Sequence, residues 1–348
     1  MNATPFAPRS LIRWLDLTCV LILLMVLVGG VTRLTGSGLS MVTWEPILGA
    51  IPPRSAAEWQ LRFEQYQAHP EFQIRNRTMT LPEFKAIYFW EYLHRLLGRM
   101  IGLIYALPLA WFFIRRIARG KLAGLLFLGL LLGGLQGVVG WWMVKSGLDK
   151  NPYVSPFRLA IHLGLALSLM SYLWWIRLSV SNYLRASAPM PLRRNALAFL
   201  ALLCIQILYG ALTAGLHAGF IYNTFPLMMG HVIPPGFLHM QPMWINFLEN
   251  ATTVQWIHRA LAFLVLALAL HIGWHGMPIA VTPMQRKAIR TIIWLTLLQF
   301  ALGVSTLLFR VPVWLAVSHQ VNASLLLITA VSLVFATPRH TAKSALLA

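Results

Sequence analysis

Four of the eleven histidines occupy corresponding places in two halves of the chain. His94 and His162 lie near the beginnings of two long apolar segments in the first half, and His258 and His319 lie similarly in the second. Paired neutral imidazoles from two helices suit a haem iron. Zinc usually takes a third or fourth protein ligand, and no carboxylate or thiolate recurs in both halves. The pattern therefore predicts two bis-histidine haem sites, the alternative being packing histidines that hydrogen-bond to neighbouring helices.

One acidic residue distinguishes the two halves. Glu91 precedes His94 by three residues, so one helical turn places both side chains on the same face. The equivalent residue in the second half is Gln255, which can form hydrogen bonds but cannot titrate. This asymmetry predicts that one haem is a substrate, with Glu91 as its acid or base, and that the other moves electrons. The alternative is a structural ion pair between Glu91 and Arg95 at i,i+4, which is compatible with catalysis.

Four arginines are candidates for binding the haem propionates. Arg95 and Arg259 directly follow two of the histidines, Arg99 lies one turn beyond Arg95, and Arg33 ends the first apolar segment. A guanidinium group pairs with a carboxylate in bidentate geometry. The alternative is that these side chains reach towards the lipid headgroups.

The elements that carry these residues are predicted to be membrane-spanning helices. Hydrophobic residues make up 58% of the chain and charged residues 11%, against about a quarter charged in soluble domains. A bilayer needs about 20 apolar residues per helix, and eight such segments occur. The predicted spans are Leu11–Val31, Tyr88–Ile114, Leu122–Val144, Leu159–Ile176, Ala196–Leu216, Val254–Trp274, Thr291–Phe309 and Val313–Ala336. The predicted fold class is an all-α membrane protein with eight transmembrane helices.

The positive charges lie in connections on one side of these spans. They are Arg9 and Arg13, Arg115, Arg116, Arg119 and Lys121, Arg177, Arg185, Arg193 and Arg194, Arg286, Lys287 and Arg290, and Arg339 and Lys343. The positive-inside rule makes that side cytoplasmic, with both termini on it. The net charge of +19 is therefore explained without nucleic-acid binding.

Several segments recur in the same order in the two halves. The matching pairs are Gly30 to Pro53 with Gly210 to Pro235, Glu91 to Arg95 with Gln255 to Arg259, Leu135 to Gly140 with Leu298 to Gly303, and Leu159 to His162 with Ala316 to His319. An even number of spans in each half predicts parallel repeats, related by an axis along the membrane normal. The predicted arrangement is two four-helix bundles, residues 1–185 and 186–348, with long outer loops at 33–87 and 217–253. All four histidines then lie in the outer leaflet.

At these residues the chain resembles the haem A synthase family of bacterial and mitochondrial inner membranes. The segments that carry the resemblance are GGVTRLTGSGLSMVTWEPILGAIPP at 29–53, FWEYLHRLLGRMIGL at 89–103, LQGVVGWWMVKSGL at 135–148, RLAIHLGLA at 158–166, QWIHRALA at 255–262 and SHQVNASLLL at 318–327. They cover nearly the whole chain and include a Glu-x-x-His-Arg motif.

The resemblance implies a reaction and a role for each site residue. The reaction is oxidation of the methyl group at C8 of haem O to a formyl group, which gives haem A for cytochrome oxidase. By motif match, His94 and His162 hold the substrate haem, His258 and His319 hold a haem b cofactor, and Glu91 is the catalytic acid.

Two other functions also use paired histidines. A bis-histidine cytochrome b that only transfers electrons does not need an acid in one half alone. A haem transporter does not explain histidines clustered at one membrane depth. Expected partners are haem O and membrane lipid, with haem O synthase, an electron acceptor and a second copy of the chain as candidates.

Overall fold

The structure, a computed structural model, describes residues 8–43, 48–149, 152–181 and 188–339. Within these ranges the chain forms helices joined by loops, with no strand. The α-helices are α1 (Arg9–Leu34), α2 (Ala56–Gln67), α3 (Leu81–Ile114), α4 (Gly120–Leu148), α5 (Pro156–Val180), α6 (Met190–Gly215), α7 (Ala251–His271), α8 (Pro283–Leu308) and α9 (Val313–Ala336). All except α2 are long and apolar enough to cross a membrane. The predicted all-α membrane fold with eight spans is confirmed.

Several helices begin before the apolar segments that predicted them. The span predicted from Tyr88 is part of a helix that begins at Leu81, after the backbone N–H of Thr80 donates to the Glu83 carboxylate at 2.7 Å. Helix α8 begins at Pro283 after a similar capping box of Thr282 and Gln285. Polar capping residues thus extend these helices beyond the stretch that hydropathy detects.

The spanning helices contact one another as two rings of four. Helices α1, α3, α4 and α5 touch in that order, with α5 closing back on α1, and α6, α7, α8 and α9 repeat the pattern. The diagonal pairs α3 with α5 and α7 with α9 make no extensive contact in the described part of the chain. The rings meet where α1 contacts α9 and where α5 contacts α6 and α9. The relation of the halves by a parallel repeat stays a prediction, and its boundary at residues 185 and 186 lies outside the described ranges.

The largest buried apolar cluster lies away from the histidines. It includes Leu11 and Val26 of α1, Phe112 of α3 and Phe199 of α6. We call the opposite end of the bundle, where α1 ends and α3 begins, the outer end, following the predicted topology. The four candidate histidines lie towards that end and are half-buried. The helices therefore pack closely at one end of the bundle, and the diagonal histidines lie beyond this packed region.

The first outer loop contains a small folded cap. Helix α2 packs on the outer part of α3 through the buried aromatic residues Phe63, Tyr66, Phe84 and Tyr88, joined by Met41. The loop predicted at 33–87 is therefore partly helical. Residues 44–47 of its repeat motif lie outside the described ranges, as do the basic residues Arg185 and Lys343.

Candidate functional site

The second ring brings together the histidine pair predicted to bind the cofactor. His258 of α7 and His319 of α9 have ring centroids 6.5 Å apart and ring planes at 79°. Two imidazoles that share one metal at about 2 Å from each nitrogen have centroids about 6 Å apart. The Nδ1 atom of each ring is buried without a hydrogen-bond partner in the described structure, a costly state for a polar atom. The pair therefore fits a bis-imidazole iron.

The first ring carries the predicted substrate pair in the corresponding helices. His94 lies on α3 and His162 on α5, which occupy diagonal places in that ring. The side-chain amide of Gln136 on α4 is 3.2 Å from His162 Nδ1 and donates to the His162 carbonyl oxygen at 3.0 Å. Helix α4 thereby holds both the ring and the backbone of His162.

Glutamine side chains support two other candidate histidines. Gln299 Nε2 is 3.2 Å from His319 Nε2, and Asn322 donates to Gln299 Oε1 at 2.7 Å. Gln206 donates to the carbonyl oxygen of His258 at 3.1 Å. Gln299 thus contacts the ring of His319, whereas Gln206 contacts the backbone of His258.

A sequence pattern marks these glutamines, but the sequence alone did not indicate what they contact. The spacing Gln-x-x-x-Gly occurs at 136–140, 206–210 and 299–303. Two of these occurrences marked the repeat, and the third, at Gln206, was missed. The spacing places the glutamine and the glycine on one helix face. The contact of that face with the neighbouring helix explains why the spacing recurs.

Glu91 is buried and fully engaged. It is 2% exposed, and its Oε2 accepts hydrogen bonds from the Ser40 hydroxyl and the Met41 backbone N–H, both at 2.7 Å. Its Oε1 pairs with Arg95 at 2.6 Å. The i,i+4 ion pair considered as the alternative role of Glu91 is thus present, and Glu91 ties the outer cap to α3.

Arg95 and Arg259 perform equivalent tasks in the two halves. Arg95 donates to the carbonyl oxygens of Thr43 at 2.9 Å and Met41 at 2.6 Å. Arg259 donates to those of Thr224 at 2.8 Å and Tyr222 at 2.6 Å. Each arginine therefore holds the outer loop that follows the first helix of its own ring, a role that sequence reasoning did not predict.

Glu91 and Gln255, the residues four positions before Arg95 and Arg259, form different hydrogen bonds. Gln255 donates to the carbonyl oxygen of Tyr222 at 3.0 Å, and its Oε1 atom is buried without a partner in the described chain. Glu91 instead accepts from Met41 and Ser40. Both residues hold an outer loop, but only the first ring places a carboxylate there.

The remaining two arginine candidates lie on α1 and α3. Arg33 is half-buried and donates to the carbonyl oxygen of Ala214 on α6, so it links the outer ends of the two rings. Arg99 is half-buried one turn beyond Arg95.

A second buried carboxyl group lies in the outer cap. Glu71 is 3% exposed, and burial raises its pKa to about 7, against the lowering effects of Arg75 at 3.5 Å and of the Tyr66 hydroxyl that donates to it at 3.2 Å. The negative charge of Glu91 also contributes to this raised pKa. Sequence reasoning missed this residue because it lies in a loop with no motif around it.

Residues 12–331 match the sequence profile of the cytochrome oxidase assembly protein family. The chain belongs to this family. Similar members include haem A synthases of Nitrosomonas eutropha, at 43% identity over 90% of this chain and 89% of theirs, and of Azorhizobium caulinodans, at 45% over 93% of both. The haem A synthase of Rhizobium etli is 46% identical over 90% of this chain and 86% of its own.

The assignment to the cytochrome oxidase assembly protein family confirms the resemblance inferred from the motifs. All four candidate histidines, Glu91 and the Gln-x-x-x-Gly segments fall within the matched range. The catalytic, propionate-binding and ligand roles of individual residues stay predictions.

Proposed function

We propose that the chain is a haem A synthase, an oxidoreductase that converts the C8 methyl group of haem O to a formyl group and so supplies haem A to cytochrome oxidase. The names of its relatives and their coverage of about 90% of the chain support this activity. The observation that carries the proposal is the pairing of His258 with His319 at 6.5 Å across the second ring, with a second histidine pair at the corresponding places in the first.

The second ring is proposed to hold haem b between His258 and His319. Bound there, haem b supplies a one-electron carrier to the reaction. Gln299 orients the imidazole of His319 from α8, and Asn322 fixes the amide of Gln299. No titratable side chain occupies the position of Gln255, which suits a site that moves electrons without exchanging protons.

The first ring is proposed to bind haem O as substrate through His94 and His162. Conversion of a methyl group to a formyl group is a four-electron oxidation, so the site needs an acid or base as well as a route for electrons. Glu91 is proposed for this role because it lies on the helix face of His94. Its three donors hold the carboxylate in one orientation, which favours reaction at a single substituent of the porphyrin.

The arginines are proposed to contribute the positive charge that two haem propionates require. Arg259 Nε is buried without a partner in the described chain, so it retains a donor beyond those that hold the outer loop. Arg95, Arg99 and Arg33 are the corresponding candidates towards the substrate haem. Each propionate contact would add a charge-assisted hydrogen bond.

The proposed location is the bacterial inner membrane, with both termini and the basic connections in the cytoplasm. The exposed Arg115 and Arg116 between α3 and α4 support this orientation, as do Arg193 and Lys287 near the starts of α6 and α8. The histidine pairs then open towards the outer leaflet. Haem O synthase is the proposed supplier of substrate, an electron acceptor is required by the oxidation, and a second copy of the chain remains a candidate partner.

The activity is tested by the haems that the protein makes and keeps. The full chain is expressed in a host that makes haem O but no haem A, and its extracted haems are identified by mass spectrometry. We expect haem A, or a hydroxylated intermediate, together with haem b. Haem b alone would support an electron-transfer cytochrome, and absence of haem would support a transporter, so either result contradicts the proposal.

A variant pair makes the same test specific to the site. His258→Ala should abolish haem A formation. His271→Ala changes an exposed histidine at the far end of the same helix and should leave haem A formation unchanged.

A further inference from the structure

Each candidate histidine lies against a glycine of the preceding helix in its ring. A Cβ atom built on the glycine would come closer to the imidazole than ordinary contact allows. From this added Cβ atom the distance is 3.2 Å to His94 Nε2 at Gly29, 2.8 Å to His162 Cε1 at Gly140, 3.1 Å to His258 Cε1 at Gly210 and 2.9 Å to His319 Cε1 at Gly303. Carbon atoms normally pack at about 3.5–4.0 Å, so no other residue fits unless the ring moves.

This contact is specific to these positions. Helix α4 also contains Gly133, Gly134 and Gly137, and a Cβ atom at any of them would meet nothing within 4 Å. Gly137 lies only three residues from Gly140, yet the two glycines differ completely in what they face. Gly129 and Gly147 of α4 also lie close to other side chains, but among the described glycines of this helix Gly140 alone meets an imidazole.

The same helix faces support three of the histidines by a second, independent contact. One turn before Gly140, Gly210 and Gly303, a glutamine amide bonds to the ring or the backbone of the same histidine. In α1, the helix that meets His94, Met25 takes the place of the glutamine. Its methyl carbon lies 3.4 Å from the Cβ position of Gly98 on α3. Bare backbone against the imidazole is thus the feature that all four sites share.

We propose that Gly29, Gly140, Gly210 and Gly303 are positioning residues that set where each imidazole ring lies between its two helices. The helix backbone is stiffer than any side chain, so it fixes the ring with little freedom to shift. In the second ring, contacts from both sides also fix the 79° angle between the planes of His258 and His319. The proposal rests on the proposed function only in taking the shared ligand to be haem iron.

Gly303→Ala tests the proposal in the full-length protein through the spectrum of its low-spin haem b. Alanine raises helix propensity relative to glycine, so a loss would not come from a weakened α8. We expect either a loss of at least half of the bound haem b or a changed low-spin electron paramagnetic resonance signal, because the His319 ring must move by a few tenths of an ångström. Wild-type haem content with a wild-type signal would overturn the proposal.

Two variants of α4 provide a matched comparison in the first ring. Gly140→Ala should reduce the number of haems bound per chain when the protein is loaded with haem O. Gly137→Ala adds the same methyl group three residues away, where it meets nothing, and should bind the wild-type amount. Equal haem binding by the two variants would contradict the proposal.

A double-mutant cycle covers the case in which haem binding is lost altogether. If the added methyl group acts through the imidazole, Gly303→Ala should lower the thermal midpoint by about 3 °C in the wild-type background. It should cause no loss in a His319→Ala background, where the ring is gone and alanine only favours the helix. Equal losses in both backgrounds would overturn the proposal. If Gly303→Ala destabilises the protein only when His319 is present, but the wild-type protein makes no haem A, the proposed function alone is contradicted.

Discussion

Glu91→Gln separates a chemical role of the carboxylate from its role in holding the outer cap. Both oxygens of Glu91 are engaged: Ser40 and Met41 donate to one at 2.7 Å, and Arg95 donates to the other at 2.6 Å. Glutamine keeps one acceptor oxygen and replaces the other with an NH₂ group. At least one donor then faces another donor in a buried place.

The structural cost of this change can be worked out from the contacts. A buried donor without a partner costs about 1–3 kcal/mol. Loss of one partner of a buried ion pair costs about 3–5 kcal/mol when the other charge is stranded, but Arg95 still donates to the carbonyl oxygens of Thr43 and Met41. We therefore expect the free energy of unfolding to fall by about 2 kcal/mol. A glutamine is tolerated at the equivalent position of the second half, where Gln255 holds an outer loop.

The assay compares haem composition with the amount of folded protein. General acid–base groups contribute about 100-fold or more to a rate. Glu91→Gln should therefore insert, retain haem b and accumulate haem O or a hydroxylated intermediate, with haem A formation reduced about 100-fold or more. Near-normal haem A from a well-folded variant would refute the catalytic role.

Ser40→Ala is the matched control for the same network. It removes one donor to the carboxylate, at about 1 kcal/mol, and leaves the carboxylate itself in place. Haem A formation should fall much less than in Glu91→Gln, because Met41 and Arg95 still hold the carboxylate. If Ser40→Ala lowers haem A as far as Glu91→Gln does, the carboxylate acts by holding the cap, and the reasoning fails.

Three further predictions follow from other parts of the molecule. Ala in place of His258 or His319 should remove the low-spin haem b spectrum, and normal haem b in both variants would reject the pair as ligands. The unfolded chain releases the Glu71 proton near pH 4.5 and the folded chain near pH 7, so wild-type stability should fall by up to about 3 kcal/mol as pH rises between these values. Glu71→Gln should lose that slope in thermal unfolding, and parallel pH profiles would contradict it. A membrane-impermeant thiol reagent outside the cell should label Arg54→Cys but not Arg115→Cys, and the reverse pattern would invert the topology.

The membrane fold was predictable because each spanning helix is a local property of the chain. A helix in lipid must satisfy its own backbone hydrogen bonds, so a long charge-free segment such as Val313–Ala336 indicates its structure without reference to any neighbour, and the helix has those same bounds. Hydropathy missed the polar first turns of α3 and α8, since Thr80 and Thr282 begin helices through hydrogen bonds and contribute no apolar character.

The sequence also nominates the candidate ligands, whose roles stay predictions, since intramembrane histidines are rare and their repeat-related spacing marks them. The partners of Glu91 were not predictable. Arg95 lies four residues away and was considered, but Ser40 and Met41 lie about fifty residues earlier, in a loop that reaches α3 only when the cap folds.

The glycines that face the histidines show the same limit. Gly137 and Gly140 lie three residues apart on one helix, yet of these two only Gly140 meets an imidazole. The repeated order of residues by itself determined which side chains are candidates for haem binding. Only the packing of one helix against the next decided which backbone atoms fix those side chains, because a close approach between helices depends on their rotation and distance, and neither is encoded within a single segment.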